Sequence, residues 1–191
     1  CCTPCPGYEP TRTISEVEET HAFDLKSSHA DRAIPLRVSL PETRGPLPVI
    51  LFSHGLGGSR NGYKYLRTRW TGRGYATIFL QHQGSDESLL NGVSPSQAVR
   101  QLRGAATRKN INLRVNDVTD VLNAMSEWAS DRKSPFYGRL DISNIGMAGH
   151  SMGAITSQLM IGQPRLLSTT KNDKRIRAAV LMSPSLSLIH I

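Results

Sequence analysis

Apolar positions change their spacing along the chain, and each change predicts a different element. Between Val17 and Leu40 apolar and polar residues alternate. Period two is the pitch of a strand with one covered face, so two strands are predicted, Val17–Leu25 and Ile34–Leu40, joined by a turn over Ser27–Arg32. Pro41 has no N–H to give a ladder and closes the second strand. From Val49 onward, mostly apolar runs replace the alternation: Val49–Phe52, Ala76–Leu80, Ile145–Gly149 and Ile176–Ser183, the last apolar over Ala178–Met182. Runs of that length suit strands buried on both faces of a parallel sheet.

Between these runs the spacing turns helical. Residues 61–73 predict a helix closed by Gly74, and Ser94–Asn110 predicts another after a loop over 82–96. Ile111, Val115, Val118, Leu122 and Met125 then recur at three- and four-residue steps, the apolar stripe of an amphipathic helix. Met152–Ile161 predicts one more. Strands alternating with helices define an α/β class: a mostly parallel sheet flanked by helices, with an antiparallel hairpin at its N-terminal side. Residues 1–12, rich in Pro, Cys and Thr, read as a tail; 13–185 read as one domain; 186–191 read as a tail foreign to it.

Composition narrows the partners. No apolar run approaches the roughly 18 residues of a membrane helix. The net charge of +8 is spread along the chain. Its densest cluster, Arg100, Arg103, Arg108 and Lys109, falls on an expected surface helix, so a solvated face is expected there rather than a nucleic-acid footprint. The cysteines are Cys1, Cys2 and Cys5, so no disulfide crosses the core. The chain lacks a secretory signal but does not begin with Met, which leaves its compartment open.

The chemistry concentrates in two loops. Gly149-His150-Ser151-Met152-Gly153 lies between an apolar strand and a helix. A serine on so sharp a strand–turn–helix is a nucleophile elbow: glycines are needed where the turn crowds its neighbours, and the hydroxyl rises above the sheet edge. The helix that follows aims its N-terminus at developing negative charge. The second loop, His54-Gly55-Leu56-Gly57-Gly58, follows the strand ending at Ser53. An oxyanion hole needs two converging backbone N–H groups, one from the residue after the nucleophile and one from such a loop. The spacing Gly55-x-Gly57-Gly58 does not fit a dinucleotide fingerprint.

The stretch from Leu47 to Glu87 resembles the platelet-activating-factor acetylhydrolase and dienelactone-hydrolase-like branch of the α/β-hydrolases. The phrase FSHGLG, a helix, Arg73-Gly74-Tyr75 before the next strand, and then Gln81-His82 carry the likeness, together with the elbow strand IGMAGHSMGA. The resemblance implies that Ser151 is acylated, that Leu56 and Met152 supply the oxyanion N–H groups, and that the substrate is a small ester or lactone. It implies no metal or organic cofactor, and it leans towards an exported protein. GHSMG is similar also to the elbow of cutinase-like polyester hydrolases, so substrate class stays open.

A serine nucleophile needs a base and a group to orient it, which in this fold follow as an acid and then a histidine. After Ser151 stand only Asp173, ahead of the next strand, and His190, a few residues from the end. Neither suits the role, so the expectation is a chain that stops before the triad acid, the histidine and the last strands, and that is inactive by itself. His54 and His150 are expected to pack or hydrogen-bond within the two loops, His82 to line the cleft, and His21 and His29 to lie on the hairpin surface. The competing class is a binding module that keeps the fold without turnover.

Overall fold

A computed structural model describes residues 18–43, 45–163 and 171–184. Six strands form one sheet in the order β1-β2-β4-β3-β5-β6. β1 (Glu18–Lys26) and β2 (Ala33–Pro41) are the antiparallel pair expected from the alternating pattern, in register Glu18 to Pro41 through Lys26 to Ala33. β2 also lies antiparallel to β4 (Ala76–Leu80). The remaining neighbours are parallel: β3 (Leu47–Ser53) with β4, β3 with β5 (Leu140–His150), and β5 with β6 (Ile176–Met182).

Both faces of the central strands are covered, which explains their continuous apolar sequence. Val49 and Leu51 of β3, Ile78 of β4 and Ile145 and Met147 of β5 face one way. They pack with Val118, Leu122 and Met125 of α3 (Arg108–Ser130) and with Ile155 and Leu159 of α4 (Met152–Met160). The alternate residues Phe52, Phe79 and Ala148 face the other way, against Leu66 and Trp70 of α1 (Lys64–Thr71). Phe52 and Phe79 stack with centroids 4.7 Å apart. The turn between β1 and β2 is pinned to α3, since Asp120 accepts from the Ser27 hydroxyl at 2.8 Å and the Ser28 N–H at 3.0 Å.

Predicted boundaries move, and β5 starts at Leu140 rather than Ile145. The first helix is shorter than residues 61–73, because Tyr63 takes a left-handed conformation (φ 55°, ψ 34°) and helical dihedrals start only at Lys64. Its other end also falls short of Gly74: the helix stops at Thr71 with Gly72 as its cap, and Gly74 (φ +90°) instead turns the chain after it, its N–H on Thr71 O. The predicted helix Ser94–Asn110 is cut in two. α2 (Pro95–Ala105) begins with a Ser94–Gln97 capping box, and Ala106 (ψ 59°) then breaks the path. Thr107 caps α3, its side chain accepting from Asn110 N–H. The expected loop over 82–96 contains a short 3₁₀ helix, Glu87–Leu90. Arg100, Arg103, Arg108 and Lys109 are all exposed, as expected, although α2 and α3 share them. The two tails, with Cys1, Cys2, Cys5 and His190, lie outside the described residues.

Candidate active site

The parallel register brings three loops to one edge of the sheet. Ser53, the last residue of β3, is level with Leu80 of β4 on one side and Gly149 of β5 on the other. The segments leaving these strands, His54–Gly58, Gln81–Ser85 and the turn at Ser151, are therefore neighbours at the carboxyl ends of the strands. That edge is where open α/β sheets hold their ligands.

The turn at Ser151 is strained. Ser151 has φ 53° and ψ −115°, a combination few L-residues adopt. The chain can bend so tightly only because its flanks lack side chains. A Cβ on Gly149 would lie 2.2 Å from the Gly153 carbonyl oxygen, and one on Gly153 would lie 1.9 Å from the Ser53 carbonyl oxygen. Both distances are far inside van der Waals contact. The strain is held on each side by hydrogen bonds: Ser151 N–H donates to Met182 O of β6 at 2.9 Å, and Ser151 O accepts from Ala154 N–H at 3.0 Å. Helical bonding starts with that Ala154 N–H, so the Met152 N–H has no acceptor within α4. Ser151 is partly exposed.

The His54–Gly58 loop lies directly against this turn. A Cβ on Gly55 would come 3.0 Å from His150 Nδ1 and 3.4 Å from the Tyr63 hydroxyl. The loop closes on itself through Gly58 N–H to Gly55 O at 3.1 Å, with Leu56 and Gly57 at its apex. Gly57 has φ +75°, the left-handed value that the third residue of such a turn demands. Leu56 is partly exposed. Tyr63, which sequence reasoning passed over, shares a 2.9 Å hydrogen bond with His150 Nδ1 and borders the same spot.

A second serine, with a complete set of partners, sits beneath. Ser53 Oγ is 2.9 Å from His82 Nε2, and His82 Nδ1 is 2.8 Å from Asp117 Oδ2. Asp117 also accepts from Arg32. The order Ser–His–Asp is that of a catalytic triad, but all three residues are 0 % exposed. His82 therefore does not line the cleft, as the sequence suggested; it is part of the core. Burial, then the nearby Arg114 charge, holds its imidazole well below the usual histidine range, so it is neutral. Its tautomer follows: Nδ1–H donates to Asp117 and Nε2 accepts the Ser53 hydroxyl.

His54 is neutral for the same leading reason, burial, reinforced by Arg114. Its Nε2 accepts the His82 backbone N–H at 3.0 Å, so Nδ1 carries the proton and donates to Gly55 O at 2.6 Å. Asp117 is pushed up to about 7 by burial, against the pull of Arg32. Arg114 and Asp117 were absent from the sequence reading, yet a signal existed. Two charged residues three apart stand inside the apolar stripe of α3, beside Val115 and Val118.

Among the described residues, no histidine or carboxylate hydrogen-bonds the Ser151 hydroxyl. His21 pairs with Glu19, His29 with Asp120 and His150 with Tyr63, while Asp173 is engaged by Arg175. Those residues also include no cluster of potential metal ligands, and no helix long and apolar enough to cross a membrane.

Parallel sheet, covering helices and strained serine turn together define the α/β-hydrolase fold. A family model described as serine aminopeptidase, S33, matches residues 44–190, and the chain belongs to that family. Similar solved structures agree on the fold. A protein described as a dienelactone hydrolase from Klebsiella pneumoniae superposes with TM-score 0.62 at 15 % identity, over 86 % of this chain and 59 % of that one. Ferulic acid esterase from Streptomyces cinnamoneus gives 0.59 at 16 % identity, over 93 % and 62 %. Acylaminoacyl peptidase from Pyrococcus horikoshii gives 0.55 at 23 % identity, over 86 % and 23 %. This chain thus spans less than two thirds of each. No curated protein matches it in sequence.

Proposed function

We propose that the protein is a serine hydrolase that cleaves carboxylic esters through an acyl-enzyme, with Ser151 as nucleophile. The observation that carries this reading is the backbone of Ser151, φ 53° and ψ −115°, held between β5 and α4 by two glycines that tolerate no Cβ. Strain of this kind, at a sheet edge, is what lifts a hydroxyl towards a substrate. Ser151 Oγ attacks the ester carbonyl, and its proton passes to a histidine base. The carbonyl oxygen becomes an oxyanion, received by the N–H groups of Leu56 and Met152. Collapse expels the alcohol, which takes the proton; water then repeats the sequence and releases the acid. The histidine and its acid partner come from outside the described residues. The route calls on no metal or organic cofactor, and its substrate is a small ester.

The ferulic acid esterase among the structural relatives supports carboxylic esters as substrates. The dienelactone hydrolase and the acylaminoacyl peptidase keep lactones and acyl-peptides as the second reading. The experiment uses the full-length protein that carries this sequence. A fluorophosphonate should label Ser151, and a chromogenic short-chain ester should turn over faster than a lactone, a polyester film or an acyl-peptide. Labelling at another residue, or wild-type turnover by Ser151→Ala, overturns the proposal; a faster lactone or peptide moves it to the second reading.

A further inference from the structure

Arg114 is the largest fully buried side chain among the described residues, on the same helix that supplies Asp117 to His82 and Asn110 to Gly84. Its guanidinium is spent almost wholly on backbone carbonyls. Nη1 donates to His54 O at 2.6 Å, and Nη2 reaches Ser85 O at 3.3 Å and Gly55 O at 3.5 Å, while Nε donates to the Ser85 hydroxyl at 2.9 Å. Ser85 O in turn accepts the Gly57 N–H at 2.9 Å. One side chain thus grips two carbonyls of the His54–Gly58 loop directly, and a third residue of the loop through Ser85.

The consequence follows from peptide planarity. No described peptide bond is cis, and in a trans peptide the C=O and the next N–H point in opposite directions. Gly55 C=O and Leu56 N–H share one such plane. With the carbonyl turned inward, towards Arg114, the His54 ring and the Gly58 N–H, the Leu56 N–H must point outward. The same holds for His54 C=O and the Gly55 N–H, and Gly55 lies against His150 of the serine turn. A positive charge on the carbonyl side also polarises each peptide so that its N–H becomes a stronger donor.

We propose that Arg114 is a positioning residue for catalysis: from inside the core it sets the two peptides at His54–Leu56 so that the Leu56 N–H faces the oxyanion formed at Ser151. This rests on the reading of Ser151 as nucleophile and Leu56 as oxyanion donor. Arg114 touches no substrate and acts only through the loop. Lysine keeps the charge but offers no fork to span His54 O, Gly55 O and Ser85.

The test compares Arg114→Lys, Arg114→Ala and Ser151→Ala in the full-length protein, with a chromogenic ester, a boronic acid that forms a tetrahedral adduct, and a thermal unfolding midpoint. Mispositioned donors should lower kcat of Arg114→Lys about 10²-fold, with KM within about twofold and boronate affinity falling in parallel with kcat. In Arg114→Ala, added guanidinium ion should refill the cavity and restore part of kcat. If Arg114→Ala does not fold, Arg114→Lys alone decides. The inference is overturned if Arg114→Lys lowers only the unfolding midpoint, or raises KM with kcat and boronate affinity intact. Activity in Ser151→Ala would instead overturn the reading beneath it.

Discussion

Two serines close adjacent strands of this sheet, and they divide between them what a catalytic serine needs. Ser53, at the end of β3, has a histidine at 2.9 Å and an aspartate behind it, yet it is sealed from solvent and its carbonyl abuts Gly153. Ser151, one strand over, has no such partners among the described residues but has a strained, partly exposed backbone. The difference teaches that a Ser–His–Asp chain is not by itself evidence of catalysis. Buried polar groups must find partners whatever their function, and a hydroxyl, an imidazole and a carboxylate satisfy one another well. Backbone strain has no such bland explanation, because it costs stability and persists only where the surroundings impose it.

The sharpest way to break that comparison is to remove each hydroxyl in the full-length protein. Ser151→Ala should lose about 10⁴–10⁶-fold in kcat on a chromogenic ester. Ser53→Ala should keep kcat within about threefold while losing about 1–3 kcal/mol of stability, because His82 Nε2 is left without its donor. Steady-state kinetics and thermal unfolding separate the two. A dead Ser53→Ala enzyme that folds normally would transfer the nucleophile to the wrong serine.

Next in size is the crowding at the turn. Gly153→Ala would push a methyl group 1.9 Å from the Ser53 carbonyl oxygen, with no flexible atom able to move aside. The expected cost is about 4 kcal/mol or more, enough to prevent soluble expression or to drop the unfolding midpoint steeply. Normal stability in this variant would mean that the loop and turn do not meet as described.

The buried cluster comes third. Asp117→Ala takes the carboxylate from Arg32, which keeps only the Gln83 and Leu113 carbonyls, and leaves the His82 N–H without its acceptor, and should cost about 3 kcal/mol. Denaturant unfolding measures it. A loss near zero would show that water fills the site and that the cluster holds little together.

Legibility in the sequence followed the physical scale of each feature. Strand runs and the α3 stripe were readable because burial on a face forces a local period, and all six described strands were anticipated, although β5 starts at Leu140 and only the half from Ile145 carries the apolar run. The tight turn at Ser151 was readable because glycine is compulsory where a Cβ has no room, as at Gly149 and Gly153. What escaped was the set of contacts made between elements far apart in sequence. Arg114 to His54 spans 60 residues and His82 to Asp117 spans 35, and no local pattern records such a meeting. His82 was misread for a related reason: a polar residue after a strand usually faces a cleft, and only the α3 carboxylate explains why this one does not.

The smallest effect separates the two regions by pH. His54 and His82 are both held neutral by burial, so their folded pKa values lie below the unfolded value of about 6.5. Well above pH 6.5 neither state takes up a proton at these two histidines, and they add no pH dependence. As pH falls below 6.5 the unfolded chain binds two protons that the folded protein refuses, and stability declines. Asp117, raised to about 7, works the other way: between its unfolded value near 3.8 and pH 7 the folded state holds a proton that unfolding releases. Two taken up less one released leaves a net uptake on unfolding that is well under one proton at pH 6.5, where the unfolded histidines are half titrated, and about one near pH 5, so the slope grows towards about 1.4 kcal/mol per pH unit, with stability lower on the acid side. The carboxylates held low, Asp120, Asp141 and Asp173, lose their contribution only below about pH 3.8, outside this window. Asp117→Asn removes the opposing proton and should steepen the slope to about twice that value. The measurement is denaturant unfolding at pH 5, 5.5, 6 and 6.5, for the wild type and Asp117→Asn. Stability that does not change across that range in the wild type would mean that His54 and His82 take up protons in the folded core. The core beneath the His54–Gly58 loop would then be a titrating site, and the contrast between a sealed serine and an open one would fail at its sealed end.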